Sequence, residues 1–383
     1  MNKCYCGNDN LNEYSQDYYK CNLCNTLVSK HDFSDVCNIE SEDEDLYGKN
    51  YWEEVMVKEA DVKNMDELID LYIPERATYW LKLCLKYIKL GSTVAEVGCG
   101  LGQFSYLLKE TGFQPTALEL SPQICQYIEK NLGLKTICGE LSCSNEKYQT
   151  IIAMDVFEHL LEPEEFLEEC VERLELGGLL VMQMPCYDPQ LSYEEMLRTK
   201  PRFKHLLVKE QHSFLYSRES IVSLLKKHGF KNVVFEPSFF GDDYDMMLFA
   251  AKDSFRLNSD EDINGYLNTV PNGRIVKALI KLFDDKNQIE KERIAIDEER
   301  EKILKDVNSL NQILQEKEAQ VNMFSAAAEE RLRDNERLLA TNTELQQVAD
   351  ERLVIIEKLT ADMKMYQQAA DERLRIINQL TNT

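Results

Sequence analysis

An α/β fold built on a doubly wound, mostly parallel seven-stranded sheet is predicted for this chain, with a small cysteine module before it and a long helix after it. Three observations carry the prediction. Short apolar runs alternate with helical segments from Pro74 to Lys252, the pattern of a parallel sheet covered on both faces. The first run breaks into a glycine-rich turn, Gly98-Cys-Gly-Leu-Gly102. From Asp284 to the end there is no Gly or Pro, and Glu, Lys, Arg, Gln, Ala and Leu dominate, the composition of a long helix.

The first strand is Thr93-Val-Ala-Glu-Val97. Its glycine turn opens a helix and so presents bare backbone N–H groups and a helix N-terminus to a nucleotide-like ligand. Nicotinamide-binding loops space their glycines G-x-G-x-x-G, whereas Gly102 comes one residue early, which favours a different adenosine ligand. The second strand, Ala117-Leu-Glu119, ends in a carboxylate able to accept both hydroxyls of a ribose, and Ser121-Pro122 reads as a capped helix start. The third strand, Lys135 to Gly139, leads into Glu140 and Leu141, and the fourth, Thr150 to Met154, into Asp155-Val-Phe-Glu-His-Leu160. The fifth runs from Leu176 through a Gly-Gly turn to Pro185. A helix ends at Gly229, and Val233 to Glu236 and Met246 to Ala251 are the last two strands.

With these motifs in place the chain resembles the class I S-adenosylmethionine-dependent methyltransferases, a Rossmann-like family. Glu96, Gly98, Gly100 and Gly102 match the family's first motif, an acidic residue followed by G-x-G-x-G, and Asp155 to Leu160 matches its D-V-x-E-H-L signature. The resemblance implies S-adenosylmethionine bound by Glu96, Gly98, Gly100, Gly102, Glu119, Glu140 and Asp155, with Glu140 near the adenine amino group. It also implies that the last two strands form an antiparallel pair. Methyl transfer needs alignment of donor and acceptor and exclusion of water, and a hydroxyl acceptor must also lose its proton. His212, His159 and Asp155 are the catalytic candidates, with Glu158 behind them. His212 lies in Glu210-Gln-His-Ser-Phe-Leu-Tyr-Ser217, similar to the E-H-x-x-x-F-S segment that borders the substrate pocket in such enzymes. Each histidine competes with the reading of a hydrogen-bonded structural residue.

The segment between Pro185 and Glu210 carries Arg198, Lys200, Arg202, Lys204, His205 and Lys209, interleaved with Tyr187, Tyr193 and Phe203. Cations beside flat rings suit a sugar carrying a phosphate or nucleotide, although a charge run is more often a solvated face. A formal net charge of −24 argues against nucleic acid as a partner. The N-terminus has no apolar signal region and no run approaches a membrane span, so a soluble, cytoplasmic protein is expected.

Cys4 and Cys6, then Cys21 and Cys24, form two close pairs with the layout of a four-thiolate structural Zn²⁺ site, His31 and Cys37 being possible substitutes. The segment has too little apolar material to fold without the metal. Cys84, Cys99, Cys125, Cys138, Cys143, Cys170 and Cys186 fall singly in predicted core elements, which is reduced usage. This order of modules resembles bacterial methyltransferases of sugar and surface-polysaccharide pathways, some of which carry an N-terminal zinc site. The large C-terminal domain of the sugar C-methyltransferases is missing, which tilts the expectation to O-methylation.

The expected organisation is a zinc-binding module over 1–40, a helical lead-in over 41–75, the methyltransferase domain over 76–253, a helical linker over 254–283 and a coiled coil over 284–383. In the coiled coil, Ala-(Glu/Asp)-Glu-Arg-Leu recurs at Ala328, Ala349 and Ala370, three heptads apart. Leu353, Ile356, Leu359, Met363, Tyr366, Ala370 and Leu374 then share one left-handed seam that needs a partner, a second copy or another protein. Asn308, Asn311, Asn322, Asn335 and Asn342 weaken the earlier seam, where a break into shorter helices is expected. The expected reaction is O-methylation of a sugar on a nucleotide-sugar or surface glycan. The alternatives are a small-molecule (quinone or secondary-metabolite) methyltransferase and a coiled-coil scaffold that retains the cofactor fold without catalysis.

Overall fold

The computed structural model describes residues 3–33, 51–241 and 244–381. It divides into two units, Met1–Ile289 and Glu290–Thr383. The first is organised around a seven-stranded sheet made of β4 (Thr93–Val97), β5 (Gln114–Glu119), β6 (Lys135–Cys138), β7 (Tyr148–Met154), β8 (Leu174–Pro185), β10 (Asn232–Glu236) and β11 (Asp245–Ala251). Their spatial order is β10-β11-β8-β7-β4-β5-β6. Pairing is parallel from β8 to β6 and antiparallel where β11 joins β8 and β10 joins β11. The order reverses at β4, so its carboxyl end and those of its neighbours open on the crevice where such folds bind ligands.

The central strands are largely apolar because both faces are covered. Along β7, Ile151 and Ala153 enter one core while Ile152 and Met154 enter the other. The same alternation holds in β11, with Met246, Leu248 and Ala250 on one face and Met247, Phe249 and Ala251 on the other. A one-residue slip would exchange the two cores, so this pattern fixes the register.

The cysteine segment is a three-stranded antiparallel sheet, β1 (Leu11–Glu13), β2 (Tyr18–Cys21) and β3 (Leu27–Ser29). It is not a separate body. β3 pairs with β9 (Phe214–Leu215), Leu27 opposite Leu215 and Val28 opposite Phe214, and the segment belongs to the first unit. Cys37 and part of the expected lead-in lie outside the described residues. The lead-in includes the helix Met65–Tyr72, capped by the Asn64 side chain on the Glu67 N–H.

The expected linker over 254–283 belongs instead to the first unit. Ser259 and Asp262 form a capping box on the helix Asp260–Leu267, and Leu267, Val276 and Phe283 are buried. Amphipathic segments of this kind have a core to join, which composition alone did not reveal. Two cysteines also depart from expectation: Cys138 and Cys143 are exposed.

The helix Gly273–Thr381 passes without interruption through all five asparagines that were expected to break it. Asn costs a helix interior less than about 0.7 kcal/mol relative to Ala, too little to end a long run with no Gly or Pro. Within the second unit Leu332, Leu353 and Leu374, one from each copy of the repeat, are 62%, 55% and 58% exposed. Among the described residues no helix is long and apolar enough to cross a membrane.

Candidate active site

At the carboxyl end of β4 the chain turns through Gly98 and Gly100, with φ of 61° and 55°. A Cβ on Gly98 would come within 2.6 Å of Val156, and one on Gly100 within 2.7 Å of the Trp52 ring, so only glycine allows these approaches. Gly102 is the left-handed N-cap of the helix Gln103–Glu110. Glu96 is buried, accepts a hydrogen bond from the Ser105 hydroxyl, and is pushed up by burial to about 7.

Glu119, at the end of β5, does more than the sequence suggests. Its Oε2 accepts the Gly100 N–H at 3.0 Å, and its Oε1 accepts the Leu120 and Ser121 N–H groups at 2.8 and 3.2 Å. One carboxylate therefore ties the glycine turn to the second strand while facing the cavity.

Asp155 adopts a left-handed φ of 55°, uncommon for a non-glycine residue, directly after β7. Gln183 donates to its Oδ1 at 3.1 Å, and the Arg76 guanidinium stands 3.9 Å from its carboxylate. Burial raises its pKa against the pull of Arg76. Arg76, a position that carries no motif, is itself stacked on Tyr72 at 4.1 Å and lies 5.4 Å from the Trp80 ring.

Arg76, Glu96, Gly98, Gly100, Glu119 and Asp155 line one cavity of about 1260 Å³, whereas Gly102 is not among its lining residues. Among the described residues, four buried polar atoms on its lining residues lack a hydrogen-bond partner: Trp52 Nε1, Arg76 Nε, Gln103 Oε1 and Glu158 Oε2. Buried polar groups are nearly always satisfied, so these groups, with the glycine approaches and the Glu119 carboxylate, fit a polar ligand such as an adenosine cofactor.

The two candidate bases also line this cavity. A 3₁₀ turn, Phe157–His159, follows Asp155, and the His159 and His212 rings meet at 4.9 Å and 66°. His159 Nδ1 lies 2.9 Å from the Gln211 carbonyl and His212 Nδ1 lies 2.7 Å from the Leu206 carbonyl. A carbonyl only accepts, so each ring carries its proton on Nδ1 and keeps the Nε2 lone pair. Burial, with His212 beside it, pushes His159 down to about 4, and burial also lowers His212. Glu158 is driven well up by burial and by Asp155, and Asp245, at the start of β11, reaches about 7 for the same reasons. Donor atoms of Glu158, His159 and His212 fall within 4.8 Å of one another, a set of metal-ligating type. Asp245 had no sequence signal, because a lone carboxylate before an apolar strand reads as a turn residue.

Glu140 is exposed and is not among the cavity's lining residues. Of the basic cluster, Arg202 and His205 line the cavity. Lys209 instead pairs with Asp17 at 2.7 Å, while Tyr187 and Phe203 are buried.

The depressed histidine has a consequence for stability. Between about pH 6.5, the ordinary histidine value, and pH 4 the unfolded chain binds a proton at His159 that the folded chain does not, so its contribution falls as pH falls. His159→Gln removes that penalty. Denaturant unfolding at pH 7.5 and pH 5 is expected to show the variant losing less stability than the parent on acidification; an equal loss would mean His159 titrates normally.

The four cysteines Cys4, Cys6, Cys21 and Cys24 are unpaired by disulfides, with sulfurs within 4.8 Å of one another. Cys4 Sγ lies 3.5 Å from Cys24 Sγ and Cys6 Sγ 3.6 Å from Cys21 Sγ. Tetrahedral zinc at about 2.3 Å from each sulfur sets its ligands about 3.8 Å apart, so this donor set fits the ion. His31 packs on Phe33 instead.

Comparison with known proteins agrees with this geometry. Residues 69–234 match the family described as methyltransferase domain. Residues 69–234 are thus a methyltransferase domain on a Rossmann-like fold. The ubiquinone biosynthesis O-methyltransferase of Cereibacter sphaeroides (strain ATCC 17025) is 24% identical over 166 residues, 38% of this chain and 65% of the relative. The mitochondrial ubiquinone biosynthesis O-methyltransferase of Schizosaccharomyces pombe is 26% identical over 102 residues, 24% of this chain and 37% of the relative. The chain thus spans less than two thirds of the curated relatives it matches. Among solved structures, magnesium protoporphyrin IX methyltransferase from Synechocystis PCC 6803 with bound SAH is 14% identical and covers 54% of this chain and 98% of its own, at a TM-score of 0.37.

Proposed function

We propose that this protein O-methylates a hydroxyl of a small acceptor, a sugar carrying a phosphate or nucleotide being the first candidate, with S-adenosylmethionine as donor. The observation that carries the reading is a single cavity lined both by the glycine turn with Glu119 and by two imidazoles, His159 and His212, whose pKa burial lowers. When bound, the cofactor supplies an electrophilic methyl on a sulfonium. Glu119 is placed to take the ribose hydroxyls, and Gly98 and Gly100 let the backbone approach the ligand. His212 Nε2 accepts the acceptor's proton, its Nδ1–H held by the Leu206 carbonyl so that the ring cannot turn away. His159 buttresses that ring, and Arg202 offers a cation and His205 a ring N–H to an anionic group.

A second reading is a phenolic or catechol hydroxyl, supported by the names of the O-methyltransferase relatives and by Phe240 and Tyr244 on the cavity lining. Turnover with a panel of nucleotide sugars and catechols separates the two. With the accepted substrate, His212→Gln is expected to lower kcat by about a hundredfold or more while leaving cofactor binding intact. Cofactor binding without turnover on any acceptor would favour the scaffold alternative.

The same reading assigns Cys4, Cys6, Cys21 and Cys24 to one structural zinc ion per chain, since four clustered thiolates in a segment with so small a core suit a metal-dependent fold. It assigns the 21-residue repeat to self-association through one coiled-coil seam.

A further inference from the structure

We infer that the cysteine segment braces from behind the stretch that lines the acceptor half of the cavity, and that Tyr18 is a positioning residue for His212. The inference rests on the acceptor and zinc assignments just proposed. Its own ground is where the segment attaches. The buried Tyr18 hydroxyl donates to the His212 carbonyl at 3.0 Å. The Ser29 N–H donates to the Ser213 carbonyl at 3.0 Å, and the Ser29 hydroxyl to the Lys209 carbonyl at 2.8 Å. β3 pairs with β9 immediately after His212, and Lys20 Nζ donates to the Pro189 carbonyl at 2.7 Å. The Tyr5 ring, between Cys4 and Cys6 in sequence, meets Phe214 edge-on at 5.4 Å and Tyr216 at 5.7 Å.

Each of these contacts lands between Tyr187 and Tyr216, the stretch that also supplies Arg202, His205, Gln211 and His212 to the cavity. From the opposite side the same stretch is held by the signature turn. The Ser213 hydroxyl donates to the His159 carbonyl at 3.2 Å, and Tyr216 packs on Phe157 at 5.1 Å. His212 is therefore clamped between a preformed turn on β7 and a sheet whose three strands have only three or four residues each. Strands so short hold their place through what ties their ends, and here four thiolates do so. The residues that receive the cofactor sit on β4 and β5, strands paired deep in the large sheet. Metal in the cysteine site thus governs the acceptor half and leaves the cofactor half standing.

The test uses the full chain in three forms: parent, Tyr18→Phe, and the double variant Cys21→Ser with Cys24→Ser. Zinc content, calorimetric affinity for S-adenosylmethionine and amide hydrogen exchange are measured on each. Tyr18→Phe is expected to keep its zinc and its cofactor affinity while exchange over residues 206–216 rises about tenfold, and kcat falls with the cofactor KM unchanged. The cysteine variant is expected to lose zinc, to show a larger rise over the same residues, and to bind cofactor within about threefold of the parent. Unchanged exchange over 206–216 in both variants overturns the inference. Loss of cofactor binding in the cysteine variant also overturns it, since the metal would then support the whole unit. A parent protein that purifies without zinc overturns the metal assignment, and the Tyr18→Phe result then decides the clamp alone.

Discussion

Glu119→Ala is expected to weaken S-adenosylmethionine binding by about a hundred- to a thousandfold, roughly 3–4 kcal/mol. As a plain ribose acceptor the residue would account for part of this, since each hydrogen bond to a charged group contributes about 1.5–3 kcal/mol. The structure adds a second loss. The same carboxylate accepts the Gly100, Leu120 and Ser121 N–H groups, so alanine frees the glycine turn as well as the ligand. Gly100, left-handed and pressed against Trp52, is held in place by that bond. Glu119→Gln keeps one acceptor oxygen and the side-chain volume, and its loss is expected to be clearly smaller. Calorimetry on both variants with thermal unfolding alongside checks this: alanine should lower the melting temperature, and glutamine much less. Equal and small losses in both would remove the ribose and the turn from Glu119's duties.

Much of this site was legible because its parts are local. The strand, the glycine turn and the carboxylate at the next strand end lie on consecutive elements, so spacing together with the family resemblance pointed to Gly98, Gly100, Glu119 and Asp155, all of which line one crevice. Arg76 and Asp245 escaped because nothing in their neighbourhoods distinguishes them from surface charges. They reach the cavity only after Tyr72 and Trp80 stack on the first and β11 pairs with β8 beside the second. Glu140 failed in the opposite way: its place after the third strand suggested the adenine, yet it stands exposed before the short turn Leu141–Cys143. The cysteine pairs were legible as a cluster, but that β3 would add to β9 was not, because strand pairing across nearly two hundred residues leaves no local trace. The linker differs for a related reason, since a helix is free or docked according to what faces it, and Val276 joins the large core and Phe283 packs on Tyr79 only in three dimensions.

The second unit poses the sharpest expectation about assembly. Ile356 and Ile377 occupy equivalent places in successive copies of the repeat and are 58% and 56% exposed on the helix. Burying such a side chain in a coiled-coil seam contributes about 1.5–3 kcal/mol, and a carboxylate in its place must either be desolvated without a partner or keep the seam open. Ile356→Glu with Ile377→Glu in the full chain therefore removes two apolar layers from every helix of an oligomer and adds like charges facing each other across the seam. Full-length protein is expected to run as an oligomer by light scattering, and the double variant as a monomer that binds S-adenosylmethionine as the parent does. The matching truncation falls after Ile289, past the buried Phe283, because a cut at Asp284 would end the chain against the large core. A parent protein that is already monomeric would leave the stripe to a different protein. Oligomers that survive both the charges and the truncation would place the contact within the catalytic unit and would sink the coiled-coil assignment.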